Sequence, residues 1–599
     1  MIPDLHAISG LIDRGLLAIL GPVIVAILLS GLDDLFVNAV WAFHWIQSRV
    51  RPSARMFPPG KRQLESAPRR KIAILVPLWH EHAVIADMLQ HNLAAIRYSD
   101  YHVFAGCYPN DDQTQEAVQS VASRFPNVHM ALCPHDGPTS KGDCLNWIYQ
   151  HILLYEDENA ERFDLILIHD AEDMIHPEEL RWINYYSGRF DFIQTPVLPM
   201  ATPLRHLVHG IYCDEFAENH TIDMAVRART GGFIPGAGVG TGYRREALDR
   251  LACAASNRIF EPESLTEDYE NGLRLFRLGC KQVFVPIASS LERPSDWVAT
   301  REFFPRQWSS ALRQRTRWVT GIALQGWSRF GWKGSPGELY WLWRDRKGLL
   351  GNSLSVVSNA IFLYGLVTRL WNRLPLPTAR LTEVTLVLLL LRMLVRMACT
   401  ARVYGVWFAL GVPLRTVYAN FLNSAAGCQA VTKYVASRLK HEPLQWMKTE
   451  HAYPSRAALL SHKRKLGEIL VGSSDVSDSV LKEALETCPA SRRLGEHLVI
   501  TGKLSMARLY EALSLQQGLP LASIEPRNVP SRVAQSLPKD VVRELRVVPF
   551  QVSDGALFLA GPELPTARMN LTLRGFTSLE LRFHLVTPQQ FEVLAQELL

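Results

Sequence analysis

At 599 residues the chain is long enough to hold several domains around large cores. Hydrophobic residues make up 48% and charged residues 20%, and the net charge of +6 sits largely beside apolar stretches, which favours a membrane face over a nucleic-acid surface. Nine cysteines without a Cys-x-x-Cys pair argue against a disulfide framework or a zinc site and read as free thiols of a reducing compartment.

From Leu16 to Leu32 the chain is uncharged and nearly all apolar, just long enough to cross a bilayer. Asp4 and Asp13 precede it and Asp33–Asp34 follow, so it reads as an uncleaved anchor and not a signal peptide. The basic run that follows, Arg49 through Lys71, places the rest on the cytoplasmic side. Next, Lys71–Leu78 is a buried-strand run followed by a helical pattern, Ala83–Ile96. Tyr101–Cys107 predicts a second strand that ends in the turn carrying Asp111 and Asp112, and Gln115–Phe125 a helix. Val128–Cys133 is a third strand, and Lys141 lies on a loop entering a helix, Cys144–Leu154. Leu165–Ile168 opens into Asp170, Glu172 and Asp173 with no basic neighbour, which is either an oxygen-rich site for a hard divalent cation or a solvated turn. Strands alternating with helices imply a parallel sheet, whose ligands bind beyond the strands' carboxyl ends.

Three further clusters follow. Gly231–Gly242 contains six glycines, so its backbone can approach a ligand closely. Thr266-Glu267-Asp268 precedes a helical pattern and is either a cap or a second carboxylate site. Gln314-Arg315-Thr316-Arg317-Trp318 is either a clamp for a diphosphate and sugar or an amphipathic face on lipid headgroups.

In this order the pieces resemble the family-2 glycosyltransferases with a GT-A fold. The matching residues are Val76-Pro77, Asp111, Lys141, the Asp170 cluster, Thr266-Glu267-Asp268 and Gln314-x-x-Arg317-Trp318. The resemblance implies an α/β Rossmann-like domain that transfers a sugar from a nucleotide-diphosphate donor with inversion. It implies Asp111 on the nucleoside, Asp170 with Glu172 or Asp173 holding Mg2+ or Mn2+, and Asp268 beside Glu267 as general base. Pro77, Glu81, Lys141, Gln314, Arg317 and Trp318 would contact donor and acceptor. The family pattern is Asp-x-Asp, and this chain departs from it with Asp170-Ala171-Glu172-Asp173.

Leu349–Val367 and Val384–Ala398 are apolar enough to span, with Arg392 and Arg396 inside the second and a periplasmic link, Arg369–Leu381, between them. These arginines either meet a lipid phosphate or polymer or snorkel to the cytoplasmic side. Beyond Pro413 the helical spacing of apolar residues predicts an interfacial helix. Three spans place the amino terminus in the periplasm and both large soluble parts in the cytoplasm, and are few for a polymer channel.

Lys465-Leu466-Gly467-Glu468-Ile469-Leu470-Val471 recurs 28 residues on as Arg493-Leu494-Gly495-Glu496-His497-Leu498-Val499. Each copy continues to a helix, with Leu481 and Leu485 in the first and Leu509 and Leu513 in the second. Either the hairpins only pack or they bind something. The second copy, with Gly502 and Gln516, resembles the cyclic di-GMP-binding amino-terminal domain of type II secretion and pilus ATPases. The first departs at Lys465, Ser474 and Cys488, and lysine lacks the fork of arginine.

The whole arrangement, with Lys448-Thr449-Glu450-His451 before the last domain, resembles the bacteriophage adsorption protein B family. The implied domains are an anchor (1–48), a basic linker (49–69), the glycosyltransferase (70–335), membrane and interfacial helices (336–447) and a mainly helical repeat domain with an α+β tail (448–599). The implied activity is that of a bacterial inner-membrane enzyme building an exopolysaccharide from a nucleotide sugar, UDP-linked by expectation, on a glycan or lipid acceptor. Cyclic di-GMP would be its allosteric activator, an outer-membrane export protein its partner, and nucleic acid would have no role. A retired scaffold that serves docking or phage entry is the alternative.

Overall fold

The computed structural model describes residues 5–50, 59–255, 258–291, 296–369, 371, 374–440, 466–472, 476–489, 492–517, 519–553 and 555–598. Lys465, Ser474 and the 448–451 segment lie outside them. Two compact units form, residues 1–88 with 96–453 and residues 454–599 with 89–95, and each is described by itself.

In the first unit, strands β1 (Ile72–Pro77), β2 (Tyr101–Cys107), β3 (Val128–Leu132) and β4 (Leu165–Ile168) pair in parallel in the order β3-β2-β1-β4. The runs IAILV and LILI are buried throughout because helices cover the sheet. The sheet continues through β5 (Phe192–Gln194), β7 (Thr241–Arg244) and β8 (Gln282–Phe284) in the order β4-β7-β5-β8. The strands read from the sequence pair in parallel as expected, and the sheet becomes mixed beyond them, where β7 runs antiparallel to both β4 and β5. A separate parallel pair, β6 (Val197–Pro199) with β9 (Thr300–Glu302), borders the site. Chain reversal beside β1 makes the β1/β4 boundary the switch point, where a crevice opens.

Among the described residues, three helices are long and apolar enough to cross a membrane: residues 15–50 of the helix Leu5–Val50, then Pro336–Thr368 and Leu376–Tyr404. The first outruns the expected anchor because Asp33 and Asp34 sit inside the helix, neutralised by partners far along the chain. Asp33 pairs with Arg344 and, at 2.5 Å, Lys347, and Asp34 pairs with Arg392 at 2.8 Å. Arg396 pairs with Glu218 at 2.6 Å. The link between the last two spans is shorter than expected, because Pro377 stands in the first turn of Leu376–Tyr404, where its missing N–H costs nothing. The helix Val412–Lys440 is not a free interfacial helix. It buries Arg415, Ala419, Leu422, Ala426 and Ala430, and Arg415 forks onto Asp214 at 2.6 and 2.8 Å.

Among the described residues of the second unit, four short helices come first, Leu466–Gly472, Asp478–Thr487, Leu494–Ile500 and Met506–Gln517. They are followed by a three-stranded sheet, β10 (Val548–Ser553), β11 (Ala556–Gly561) and β12 (Glu580–Leu585), with flanking helices.

Candidate active site

A cavity of about 820 Å³ opens at the β1/β4 switch point. Pro77, Trp79 and Glu81 line it from the end of β1, Tyr108 from β2, and Asp170 and Glu172 from β4. Lys141, expected on a loop, is instead the first residue of the helix Lys141–Asn159. Ser140 caps that helix, its Oγ accepting from the Asp143 N–H at 3.2 Å. The Lys141 ammonium reaches Asp170 Oδ1 at 2.6 Å and Oδ2 at 2.8 Å, and donates to the Gly238 carbonyl at 3.3 Å. Burial alone would lower its pKa, but Asp170, Glu267 and Asp268 raise it above the ordinary lysine value.

The acidic turn divides its carboxylates. Asp170 and Glu172 line the cavity, whereas Asp173 turns into the protein. Asp173 Oδ2 accepts from the Asp170 N–H at 2.9 Å and lies 2.9 Å from His169 Nδ1, whose other nitrogen faces Glu179 at 3.3 Å. Burial pushes Asp173 up to about 7. Burial also opposes charge on His169, yet its hydrogen bonds to Asp173 and Glu179 hold it up at about 9. Asp173 therefore shapes the turn from beneath.

Glu302, at the end of β9, joins the cavity wall and no sequence signal marks it. Burial, with Asp173, Glu172 and Asp170 close by, raises its pKa well above the carboxylate range. Among the described residues no three metal-binding side chains already stand as a ready-made site. Asp170, Glu172 and Glu302 offer an oxygen-only wall, Asp170 already facing the Lys141 ammonium, and such a wall suits a hard cation that takes one or two carboxylates and completes its shell with substrate phosphates.

Thr266 occupies the cap position of the helix Glu267–Arg277 without a side-chain capping bond, which leaves Glu267 and Asp268 in the first turn and on the cavity. Burial and the neighbouring Asp268 push Glu267 up to about 7, against the pull of Lys141. Burial likewise raises Asp268. The glycine run serves this pair. Gly238 has φ +78°, and a methyl there would lie 3.0 Å from Asp268 Oδ2 and 3.3 Å from Lys141 Nζ. Gln194 pins the same loop, accepting from the Ala237 N–H and donating to the Val239 carbonyl, each at 2.9 Å.

Gln314, Arg317 and Trp318 reach the cavity from the helix Trp308–Val319. Trp318 rests edge-on against Tyr212, with ring centres 6.0 Å apart. Gln314 Oε1 and Arg317 Nε are buried with no hydrogen-bond partner among the described residues. Asp111 is the exception to the convergence, because it does not line the cavity. Its carboxylate accepts from the His80 N–H at 2.7 Å, holding a non-glycine residue at φ +53°. That bond, with Thr114, keeps Asp111 below the usual carboxylate range although burial opposes it. The aromatic groups beside it on the cavity are Trp79 and Tyr108, with ring centres 5.3 Å apart.

In the second unit the repeat folds as two matching hairpins. A methyl on Gly467 would meet Leu481 at 2.8 Å, and one on Gly495 would meet Leu509 at 2.4 Å and Leu466 at 3.0 Å. Leu470, Leu498 and Leu509 are buried, with Leu466, Leu481, Leu494 and Leu513 packed around them. The glycines thus admit a neighbouring helix. Gly502 closes its helix at φ +68°. Arg493 and Leu485 are exposed and Gln516 is half-buried.

A mixed sheet, a cavity at its switch point and a wall of lysine, carboxylates and Gln-x-x-Arg-Trp define a sugar-transferase domain. Residues 68–321 match the family model described as glycosyltransferase like family 2. Residues 517–599 match an MshEN domain, a match that begins just past the repeat. Bacteriophage adsorption protein B of Escherichia coli (strain K12) is 33% identical over 565 residues, covering 90% of this chain and 76% of that protein. Bacteriophage N4 adsorption protein B of Escherichia coli O157:H7 gives the same figures. The chain belongs to the adsorption protein B family. Among solved structures it is similar to the mannosyltransferase PcManGT from Pyrobaculum calidifontis, in complex with GDP-Man and Mn2+. That likeness has 15% identity and a TM-score of 0.41, over 66% of this chain and 99% of that one. MshE with cdg is 25% identical with a TM-score of 0.21, over 23% of this chain and all of that one.

Proposed function

We propose that the chain is an inverting glycosyltransferase of the bacterial inner membrane that builds an exopolysaccharide from a nucleotide-diphosphate sugar, with its catalytic and carboxy-terminal units on the cytoplasmic side. The supporting observation is the single cavity on which Lys141, Asp170, Glu172, Asp268, Gln314, Arg317 and Trp318 meet, from four separate stretches of chain. Asp170 and Glu172, with Glu302 behind them, hold Mg2+ or Mn2+. When bound, the cation supplies positive charge to the diphosphate leaving group. Lys141 and Arg317, whose buried Nε has no hydrogen-bond partner among the described residues, add to that charge. Pro77 and Glu81 form the donor wall with Trp79 and Tyr108, and Asp111 positions that wall through His80.

Asp268 takes the proton of the acceptor hydroxyl as it attacks, with Glu267 as its neighbour, because a carboxylate free of metal is needed for that step. Burial suits it to the task by raising its affinity for a proton. Gln314 and Trp318 cover the acceptor. In the second unit, cyclic di-GMP binds across the paired hairpins, with Arg493 as the charged contact, and activates transfer as a coupling between two sites. An outer-membrane protein receives the product.

A screen of sugar nucleotides, UDP-linked ones first, in membranes containing the full chain with Mg2+ or Mn2+ tests this reading. Transfer that needs a cation, rises with cyclic di-GMP and vanishes in Asp170→Ala supports it. Full biological complementation by Asp170→Ala, with no sugar transferred by the wild type, overturns it in favour of a scaffold.

A further inference from the structure

Behind the carboxylate wall four polar side chains are joined to one another, and none of them lines the cavity. His169 Nδ1 lies 2.9 Å from Asp173 Oδ2, and its Nε2 lies 3.3 Å from Oε1 of Glu179, the first residue of the helix Glu179–Tyr186. Glu179 in turn accepts from Thr300 Oγ1, at 3.1 and 3.0 Å to its two oxygens. All four residues are wholly buried.

Each end of this chain of contacts reaches a carboxylate that does face the cavity. At one end Asp173 Oδ2 accepts from the Asp170 N–H at 2.9 Å, within the turn that presents Asp170 and Glu172. At the other end Thr300 stands two residues before Glu302 on β9, and residues so spaced share one face of a strand. Met174 and Arg301 bridge the same two segments, exchanging backbone hydrogen bonds of 2.8 and 3.0 Å. Gly240 closes the far side, where a methyl would lie 2.4 Å from Thr300 Oγ1 and 3.4 Å from Glu179 Oε1. Taking two carboxylates and an imidazole out of water is costly, and well-packed apolar side chains would join these segments about as stably. A hydrogen-bonded chain supplies what apolar contact does not, a fixed direction and spacing.

Resting on the transferase reading above, we infer that His169 is a positioning residue, whose ring, through Asp173 on one side and Glu179 with Thr300 on the other, sets the spacing between the Asp170–Glu172 turn and Glu302. It thereby sets the fit of the divalent cation without touching it.

The test measures Mn2+ affinity of the full chain in detergent by the electron paramagnetic resonance of free Mn2+, with and without UDP as a probe, beside the melting temperature of each variant. Asp170→Ala, expected to lose the binding, locates the cation. His169→Asn puts an amide nitrogen where Nδ1 stands and keeps the Asp173 contact, whereas His169→Gln reaches Glu179 and loses Asp173. His169→Gln should weaken Mn2+ about tenfold, the lower end of what such supporting contacts contribute, and His169→Asn should weaken it less. Thr300→Val should weaken Mn2+ several-fold from outside the cavity, and Thr300→Ser, which keeps the hydroxyl, should restore it. The Thr300 pair carries the test if a His169 variant fails to fold. Thr300→Val and the folded His169 variants binding Mn2+ as wild type does, with only their melting temperatures lowered, overturn the positioning role alone. Wild-type protein that binds no Mn2+ with or without UDP, or Asp170→Ala that binds it equally, takes down the cation reading and the positioning role with it.

Discussion

The two ends of the cavity are built from the same residue types and treat charge in opposite ways. At the membrane end, Asp33, Asp34 and Glu218 meet Arg344, Lys347, Arg392 and Arg396. At the reaction end, charge is left incompletely matched. Lys141 faces Asp170, Glu267 and Asp268 together, Glu302 lies near three other carboxyls, and Arg317 keeps a buried nitrogen without a hydrogen-bond partner among the described residues. The first arrangement holds helices together. The second holds groups above their preferred energies, which is how a site awaiting a charged ligand and a proton transfer is recognised.

The sharpest way to break the contrast is Asp268→Asn, which removes the base while keeping its shape. Transfer should fall about a thousandfold, the usual scale of general-base catalysis. Initial rates in membranes measure it, and wild-type rates would move the base elsewhere.

At the other end the largest effect falls on stability. Glu218→Gln leaves the guanidinium of Arg396 buried without its carboxylate and should cost about 3 kcal/mol, read as a lower melting temperature in detergent. Replacing both Glu218 and Arg396 by leucine should recover most of that loss, because a buried pair is often no better than well-packed apolar side chains. A double variant as unstable as the single one would mean that the pair does more than hold helices.

Much of this contrast was legible in the chain itself, and the exceptions share one cause. β1 and β4 were readable because buried parallel strands are unbroken apolar runs. That Lys141, Asp170, Asp268 and Gln314-x-x-Arg317-Trp318 would meet on one cavity was readable from residue type and order. That Glu172 and not Asp173 faces the cavity was not, since a hydrogen bond back to the Asp170 N–H decides it. Glu302 lies on a three-residue strand whose partner is about a hundred residues away, too short for any periodicity to show. Asp33–Asp34 looked like the end of an anchor because hydropathy counts charges and cannot see Arg344 or Arg392. The direction of β7 was hidden for the same reason. Each exception depends on a side-chain or strand contact that periodicity and hydropathy do not show.

Returning to the reaction end, Glu267 supplies a smaller test with a definite sign. Its pKa rises from an ordinary 4.5 to about 7 because burial and Asp268 disfavour its charge. A carboxyl raised in this way favours folding in its protonated form, and the benefit is lost as pH climbs through the raised value. Glu267→Gln should therefore match wild type in melting temperature near pH 4.5 and exceed it above pH 7, by on the order of 2 kcal/mol. No difference at high pH would mean that Lys141 neutralises Glu267 fully.

The smallest effect probes whether the membrane end is purely structural. Thr416 Oγ1 is buried without a hydrogen-bond partner among the described residues, so Thr416→Val removes an unsatisfied hydroxyl and replaces it with a methyl of similar size. A wall that only holds helices should gain up to about 1 kcal/mol from the change and lose no activity. A gain in stability joined to a several-fold loss of transfer would mean that the hydroxyl serves the reaction as well as the fold. The melting temperature and the transfer rate, measured on one variant, then move in opposite directions only if the hydroxyl does more than hold helices.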